Sequence, residues 1–326
     1  MRRTTTSPRS DLAGATIVAA LSRRAPASRA TRVALALCVW CVTASVSAQD
    51  DLINQARCLD LAGKQDAAIA LYNQAIERDP RSFDAHYGVA RSLDLVGRYE
   101  EARQHFTTAI SLSPEDTKDQ ALRMMGVSYA FVRERAAAPY FQQVFERRMA
   151  AMNFSGAAEV ANELGRVFLE LGDMDNASSW YRSAYDVAAR QKDRSASDVD
   201  LVAMRWAHAQ ARIAARRGNA VEARRQEGIV KGLLGKGTNQ DQQIQSPYLI
   251  GYDAFYLKDY AGAITALRTA DQEDPFILVL LAQAYEQLGE TAKAREYYEK
   301  TLASNSHAVN NAFARPLARA KLAQAR

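Results

Sequence analysis

One stretch of the sequence, VKGLLGKGT at residues 230–238, contains part of a phosphate-binding motif. In that motif a Gly-Lys pair closes a loop whose backbone amides hold nucleotide phosphates. The motif also needs a glycine five residues before the second glycine and Ser or Thr directly after the lysine. These two positions hold Val230 and Gly237, and no apolar strand precedes the stretch. The stretch therefore predicts the end of a helix followed by a linker, and not nucleotide binding.

Residues for metal or nucleophilic chemistry are scattered along the chain. There is no HExxH, no paired CxxC and no Ser in a GxSxG turn. Cys38 and Cys41 lie near the N-terminus, which leaves Cys58 without a disulfide partner. The four histidines stand alone in sequence and are expected to be surface or packed residues: His86, His105, His208 and His307. We expect no catalytic residue, metal or cofactor, and therefore not an enzyme.

The formal charge of +5 raises the question of a nucleic-acid partner. Residues 1–48 contain seven arginines and one aspartate, so the remaining chain carries a formal charge of −1. A nearly neutral body lacks the positive potential that binds a phosphate backbone. Nucleic acid is not an expected partner.

Residues 1–48 have the composition of a secretory leader. Basic residues extend to Arg32, an apolar segment covers residues 33–42, and Val46 and Ala48 are placed like the small residues before a cleavage site. Cleavage there would start the mature chain at Gln49 and leave no transmembrane segment. The leader predicts export to the periplasm or the extracellular space. An uncleaved leader acting as a membrane anchor is the alternative, and a second apolar run at residues 12–21 leaves open a start downstream of Met1.

The remaining chain repeats itself at a fixed interval. ARCLDLAGKQDAA, residues 56–68, returns 34 residues later as ARSLDLVGRYEEA, residues 90–102. A period of about 34 residues is typical of stacked helix pairs. In such a pair, small residues let the helices approach, Gly ends the first helix, an aromatic residue fills the gap and Pro stops the second helix. The two units place these types at Ala56, Gly63, Ala68, Tyr72, Ala75 and Pro80, and at Ala90, Gly97, Ala102, Phe106, Ala109 and Pro114.

This pattern resembles the tetratricopeptide repeat family. The resemblance implies an all-α fold, a right-handed superhelix or solenoid of about seven helix-turn-helix units. Register is weakest at residues 118–150, where Pro139 would fall inside the second helix, and Pro316 is expected to start a terminal capping helix. The predicted organisation is a leader at 1–48, N-terminal units at 49–150, central units with longer helices at 151–230, a linker at 231–247, and C-terminal units with the capping helix at 248–326.

The resemblance also indicates a binding surface, because the first helices of successive units line a concave groove in this family. The residue after the small Ala or Gly of each first helix faces that groove, and here it is Arg57, Arg91, Arg166 and Arg212. Asp60 and Asp94 follow one turn later, and Tyr87 lies beside Arg91. Either the arginines are solvated or paired with these aspartates, or they bind carboxylates of a partner segment. The two-carboxylate clamp of chaperone-binding members has Asn where this chain has Arg, so the partner of those members is not expected for this chain.

The C-terminal part of the groove differs in character. Its first helix carries Tyr252, Phe255 and Tyr256, which would present an aromatic surface or an apolar pocket. The prediction is a noncatalytic scaffold that binds a partner protein or peptide in the groove, in the cell envelope. The alternatives are a component of a secretion, pilus or outer-membrane assembly machine, a regulatory subunit of an envelope enzyme, and self-association through the end repeats.

Overall fold

A computed structural model describes residues 49–324 of the protein. Within this range all regular secondary structure is helical, with no strand. Two short 3-10 helices, Arg135–Ala137 and Gln240–Ile244, accompany fifteen α helices. These are α1 (residues 49–61), α2 (Gln65–Arg78), α3 (Phe83–Val96), α4 (Tyr99–Leu112), α5 (Lys118–Phe131), α6 (Ala138–Ala150), α7 (Phe154–Glu170), α8 (Met174–Ala188), α9 (Ala196–Arg216), α10 (Ala220–Leu234), α11 (Gln245–Tyr256), α12 (Tyr260–Leu267), α13 (Pro275–Gln287), α14 (Thr291–Leu302) and α15 (Val309–Gln324).

Helices α1 to α14 pair consecutively into seven hairpins, and the residues of the repeat pattern make the contacts within them. Ala56, Ala68, Ala90 and Ala102 are fully buried where helices approach. Gly63 and Gly97 adopt φ values of 74° and 91° at the turns, a conformation in which a Cβ atom is unfavourable. Short polar side chains cap several of the following helices: Asn153, Asp173, Asn219 and Asp259. The predicted all-α repeat fold is confirmed.

Two prolines lie elsewhere than the sequence pattern predicted. Pro139 is in the first turn of α6 rather than inside a helix, where its missing N–H has no intrahelical partner to lose. Pro316 is inside α15, which already begins at Val309. There the proline removes the hydrogen bond to the carbonyl of Ala312 and crowds that carbonyl, yet the helix continues to Gln324.

The segment between α10 and α11 is shorter than the predicted linker at 231–247, because α10 extends to Leu234 and α11 begins at Gln245. It is bonded to the start of α9. Lys236 Nζ lies 2.6 Å from Asp200 Oδ1, and the Ser197 hydroxyl donates to the carbonyl of Thr238 at 3.0 Å. Contacts group Gln49–Arg326 into one compact unit, and the predicted leader lies outside the described residues.

Residues 303–324, here called the C-terminal segment, return to the first three hairpins. Helix α15 packs against α13 and α14 and also against α5. The amide of Gln65 donates to Asn305 Oδ1 at 3.1 Å, and Arg315 and Arg319 both donate to the carbonyl of Leu95 at 2.8 Å. The C-terminal segment therefore contacts both ends of the array.

Candidate partner-binding groove

The predicted residues of the first hairpin are engaged with neighbours other than those expected. Arg57 is exposed and forms an ion pair with Asp84 at 2.5 Å. Asp60 is partly buried and accepts hydrogen bonds from the hydroxyls of Ser92 at 2.6 Å and Tyr72 at 3.1 Å. Burial raises the pKa of Asp60, although these hydrogen bonds oppose the shift. The expected pairing of Arg57 with Asp60 does not form.

In the second hairpin, Asp94 is fully buried rather than open to a groove. Its oxygens lie 2.7 Å from His307 Nε2 and 2.9 Å from the Ser128 hydroxyl that donates to it. Burial raises the pKa of Asp94, and both contacts act against that rise. The C-terminal segment thus covers Asp94, which pairs with His307 and not with Arg91.

Two further predicted residues of this hairpin contact each other. Tyr87 is buried, and its hydroxyl accepts a hydrogen bond from Gln120 at 2.8 Å. The guanidinium of Arg91 lies 5.7 Å from the Tyr87 ring centre, a cation–π arrangement. Arg91 is partly exposed, so this part of the predicted row remains at the surface.

The four remaining predicted residues come together in one cluster, which also contains Glu170 and Arg216. Arg166 and Arg216 both pair with the Glu170 carboxylate, at 3.1 Å and 2.8 Å. Tyr252 is fully buried, donates to the same carboxylate at 3.1 Å and accepts from Arg216 at 2.9 Å. The expectation that Tyr252 presents an aromatic surface is therefore wrong.

Arg212 and Tyr256 complete this cluster. Arg212 is buried and donates to the Tyr181 hydroxyl at 3.0 Å. Tyr256 is partly buried, with the guanidinium of Arg216 4.1 Å from its ring centre. Sequence reasoning placed the arginines and the tyrosines in separate parts of the groove, whereas α9 packs directly against α11 and joins them.

Three adjoining cavities, of about 410, 680 and 320 Å³, lie next to this cluster. Asn162 on α7 and Arg205 on α9 line all three, so the cavities form one continuous surface. We call it the central groove. Its walls come from α5 to α9 and from α11, together with residues 191–194, residues 271–275 and the start of α15.

Several groove residues were missed by the sequence analysis, although a signal for them was present. Asn162, His208 and Tyr248 each lie four residues before a residue that the analysis singled out, just as Tyr87 precedes Arg91. Residues at i and i+4 share one face of a helix. Applying the rule used for Tyr87 to every hairpin would have found all three.

His208 has an unusual electrostatic environment. It is buried on α9, and burial together with the charges of Arg212 and Arg166 holds its pKa well below the usual range. Tyr248 is also buried; burial raises its pKa, while the same two arginines act in the opposite direction. Arg212 and Arg166 thus place positive charge beside an imidazole whose protonation is disfavoured.

The histidines that stand apart in sequence do not all stand apart in space. His86 Nδ1 lies 2.9 Å from His105 Nδ1, and His307 contacts Asp94. Within residues 49–324, no group of three or more His, Cys, Asp or Glu side chains is placed to hold a metal ion.

None of the helices described within residues 49–324 is both long and apolar enough to cross a membrane.

Consecutive helix hairpins with a groove lined by their first helices define an α-solenoid repeat protein. The family model of the tetratricopeptide repeat matches residues 56–117, 135–194 and 248–309. The chain belongs to the tetratricopeptide repeat family, whose members bind proteins or peptides.

Three known proteins with similar sequence or structure share 14–26% identity with this chain. Over 254 residues the chain is 26% identical to Cellulose synthase 1 operon protein C of Komagataeibacter xylinus; the match covers 74% of this chain and 18% of that protein's length. A tetratricopeptide repeat protein from Parabacteroides merdae is 14% identical, with a TM-score of 0.49 over 83% of this chain and 99% of its own. PilF of Pseudomonas aeruginosa is 16% identical, with a TM-score of 0.41 over 79% and 99%.

Proposed function

We propose that the protein is a noncatalytic scaffold that holds an extended or helical segment of a partner protein in the central groove. The observation that carries this proposal is the continuity of the groove across four hairpins, with Asn162 and Arg205 common to its three cavities. Each cavity has room for one or more side chains. A surface of this kind fits a chain segment better than a single small molecule, because it offers successive pockets rather than one enclosed site.

The equivalent face at the first two hairpins is less suited to a partner. There Asp94 and the carbonyl of Leu95 are bonded to His307, Arg315 and Arg319 of the C-terminal segment. A partner would have to displace these contacts, whereas the central groove needs no such rearrangement. We therefore assign binding to hairpins three to six.

The proposed location is the cell envelope. The support for this part of the proposal is the composition of residues 1–48, with basic residues, an apolar segment and small residues before position 49. An exported scaffold would meet its partner outside the cytoplasm.

A second candidate is an accessory subunit of an envelope enzyme or of a secretion, pilus or outer-membrane assembly machine. The observation that favours it is the 26% identity to a protein named for a cellulose synthase operon. In this case the bound segment would belong to a subunit of such a machine.

Site-specific photo-crosslinking in cells tests both candidates. A benzoylphenylalanine at Asn162 in the full chain probes the central groove, and one at exposed Arg225 on α10, which lies outside the groove, is the matched control. We expect a partner adduct from position 162 and none from position 225. Mass spectrometry of the adduct then identifies the partner and separates the two candidates. Adducts from position 225 alone, or equal adducts from both, would move binding away from the groove.

A further inference from the structure

Buried polar groups without a partner in the protein converge on the 320 Å³ cavity of the central groove, which we call the Arg166 cavity. Three polar groups are buried and make no hydrogen bond within residues 49–324: Nη2 of Arg166, Nε2 of His208 and the hydroxyl of Tyr248. The side chains of His208 and Tyr248 are less than one-tenth exposed. Buried polar atoms are almost always hydrogen-bonded in folded proteins, so three in one cavity require a reason.

These groups present donors. A guanidinium has no acceptor, and the Tyr248 hydroxyl and a neutral imidazole can each donate one hydrogen. Arg166 and Arg212 are also the two charged groups that act on His208. A ligand group that satisfies this set must bring acceptor oxygens, and a negative charge is favoured.

The carboxylates on the cavity wall are already engaged. Asp274 accepts from the backbone N–H of Phe276 at 2.8 Å and from Asn310 at 2.6 Å. Asp271 accepts from the backbone N–H of Glu273 at 2.9 Å. No hydrogen bond joins either carboxylate to the three unpaired groups. Asp274 acts on Arg166 and Tyr248 only through its charge.

We propose that the Arg166 cavity receives the side-chain carboxylate of an Asp or Glu in the partner segment, bonded to Arg166, Tyr248 and His208. This inference rests on the proposed function and adds a sequence requirement to the partner. A phosphate is disfavoured relative to a carboxylate, because its additional negative charge would increase the repulsion from Asp271 and Asp274. A Gln or Asn side chain is disfavoured, because its NH₂ group would meet donors, and a site that leaves buried polar groups unpaired discriminates strongly.

The test uses two small probes of equal shape, N-acetyl-glutamate methylamide and N-acetyl-glutamine methylamide. Both are titrated into the isotope-labelled full chain, and the ring resonances of His208 are followed by NMR. We expect saturable binding of the glutamate probe and at least about tenfold weaker binding of the glutamine probe. Binding of the carboxylate should also raise the pKa of His208, because a negative charge favours the imidazolium form.

Three variants define the site. Tyr248→Phe removes only the hydroxyl and should weaken the glutamate probe several-fold while leaving the glutamine probe unchanged. Arg166→Met should abolish the preference, and Arg225→Met, outside the groove, should preserve it. Arg166→Met also removes a buried ion pair with Glu170. If the Arg166→Met protein does not fold, the Tyr248→Phe result alone tests the carboxylate site.

Equal binding of the two probes, or no saturable shift with either, would overturn the carboxylate assignment. If position 162 still yields a partner adduct in that case, the proposed function stands and only this inference falls. Selective binding of the glutamate probe, with no partner adduct from position 162, would support carboxylate binding in the Arg166 cavity and overturn the scaffold proposal.

Discussion

His307→Ala tests the contact between the C-terminal segment and the first hairpins. The His307 side chain is fully buried, bonded to Asp94 at 2.7 Å, and its ring centre lies 5.6 Å and 5.4 Å from those of Phe106 and Phe131. Removing one partner of a buried ionisable pair costs about 3–5 kcal/mol, because the other is left without its bond. Loss of the ring contacts adds about 1 kcal/mol. We expect destabilisation of about 4–6 kcal/mol, at the high end for a single substitution.

The assay is urea unfolding of the full chain, with a double-mutant cycle that pairs His307→Ala with Asp94→Ala. Residues in direct contact show interaction energies of about 0.5–3 kcal/mol, and removing both partners should cost less than the two single losses combined. Hydrogen exchange then locates the effect, because repeat arrays unfold in parts. Protection should fall in α3 and α15 and persist in α10. Additive energies within about 0.5 kcal/mol, or unchanged exchange in α3, would refute the contact as drawn.

Two further predictions concern the hairpin register and the groove. Ala102→Trp places a large side chain at a fully buried helix contact and should cost about 1–3 kcal/mol; a melting temperature equal to that of the wild type would refute the assigned register. His208 has a pKa held well below its ordinary value of 6.5 by burial and by Arg212 and Arg166. As the pH falls below 6.5, the unfolded chain therefore binds a proton that the folded chain excludes, and stability should drop by up to about 1.4 kcal/mol per pH unit. His208→Gln should lack this contribution in unfolding curves measured at successive pH values, and parallel pH profiles of the two proteins would count against a neutral buried imidazole.

The hairpins were predictable because their requirements are local and recur. An Ala at a helix contact, a Gly at the turn and an aromatic residue in the gap are needed in each unit, so they reappear at a fixed interval, as Tyr72 and Phe106 do. Even the misplaced Pro139 is a local matter, because the structure needs only a shift of the helix start to accept it.

The return of the C-terminal segment was not predictable in this way. His307 and Asp94 are 213 residues apart, and no repeat in the sequence pairs a histidine with this aspartate. Asp94 occupies the same repeat position as Asp60, yet Asp94 is hydrogen-bonded to a histidine and Asp60 is bonded to Ser92 and Tyr72. A periodic pattern identifies the face on which a residue lies, but it does not identify what covers that face.

The candidate site was predictable in part for the same reason. Arg166, Arg212 and Tyr252 each follow the small residue of their first helix, so they occupy one repeat position in three consecutive hairpins. The predicted linker before α11 appeared to separate the arginines from the tyrosines. In the structure α9 packs against α11, so this repeat position continues from one helix to the next.

Continuity at that position also changes which residues meet a partner. Of the residues directly after the small Ala or Gly of hairpins four to six, Arg166 and Tyr252 are connected through Glu170 and Arg216. Arg212 donates to Tyr181 and lies 5.8 Å from the Tyr252 ring centre. These contacts hold Arg166 and Arg212 in place. The residues one turn earlier, Asn162, His208 and Tyr248, carry the polar atoms that line the Arg166 cavity. In the proposed site Arg166 supplies both charge and a direct bond to the partner side chain, while the preceding turn supplies the further contacts from His208 and Tyr248. A repeat array can therefore keep the cluster that supports its groove and alter its specificity by substitutions four residues earlier in each hairpin.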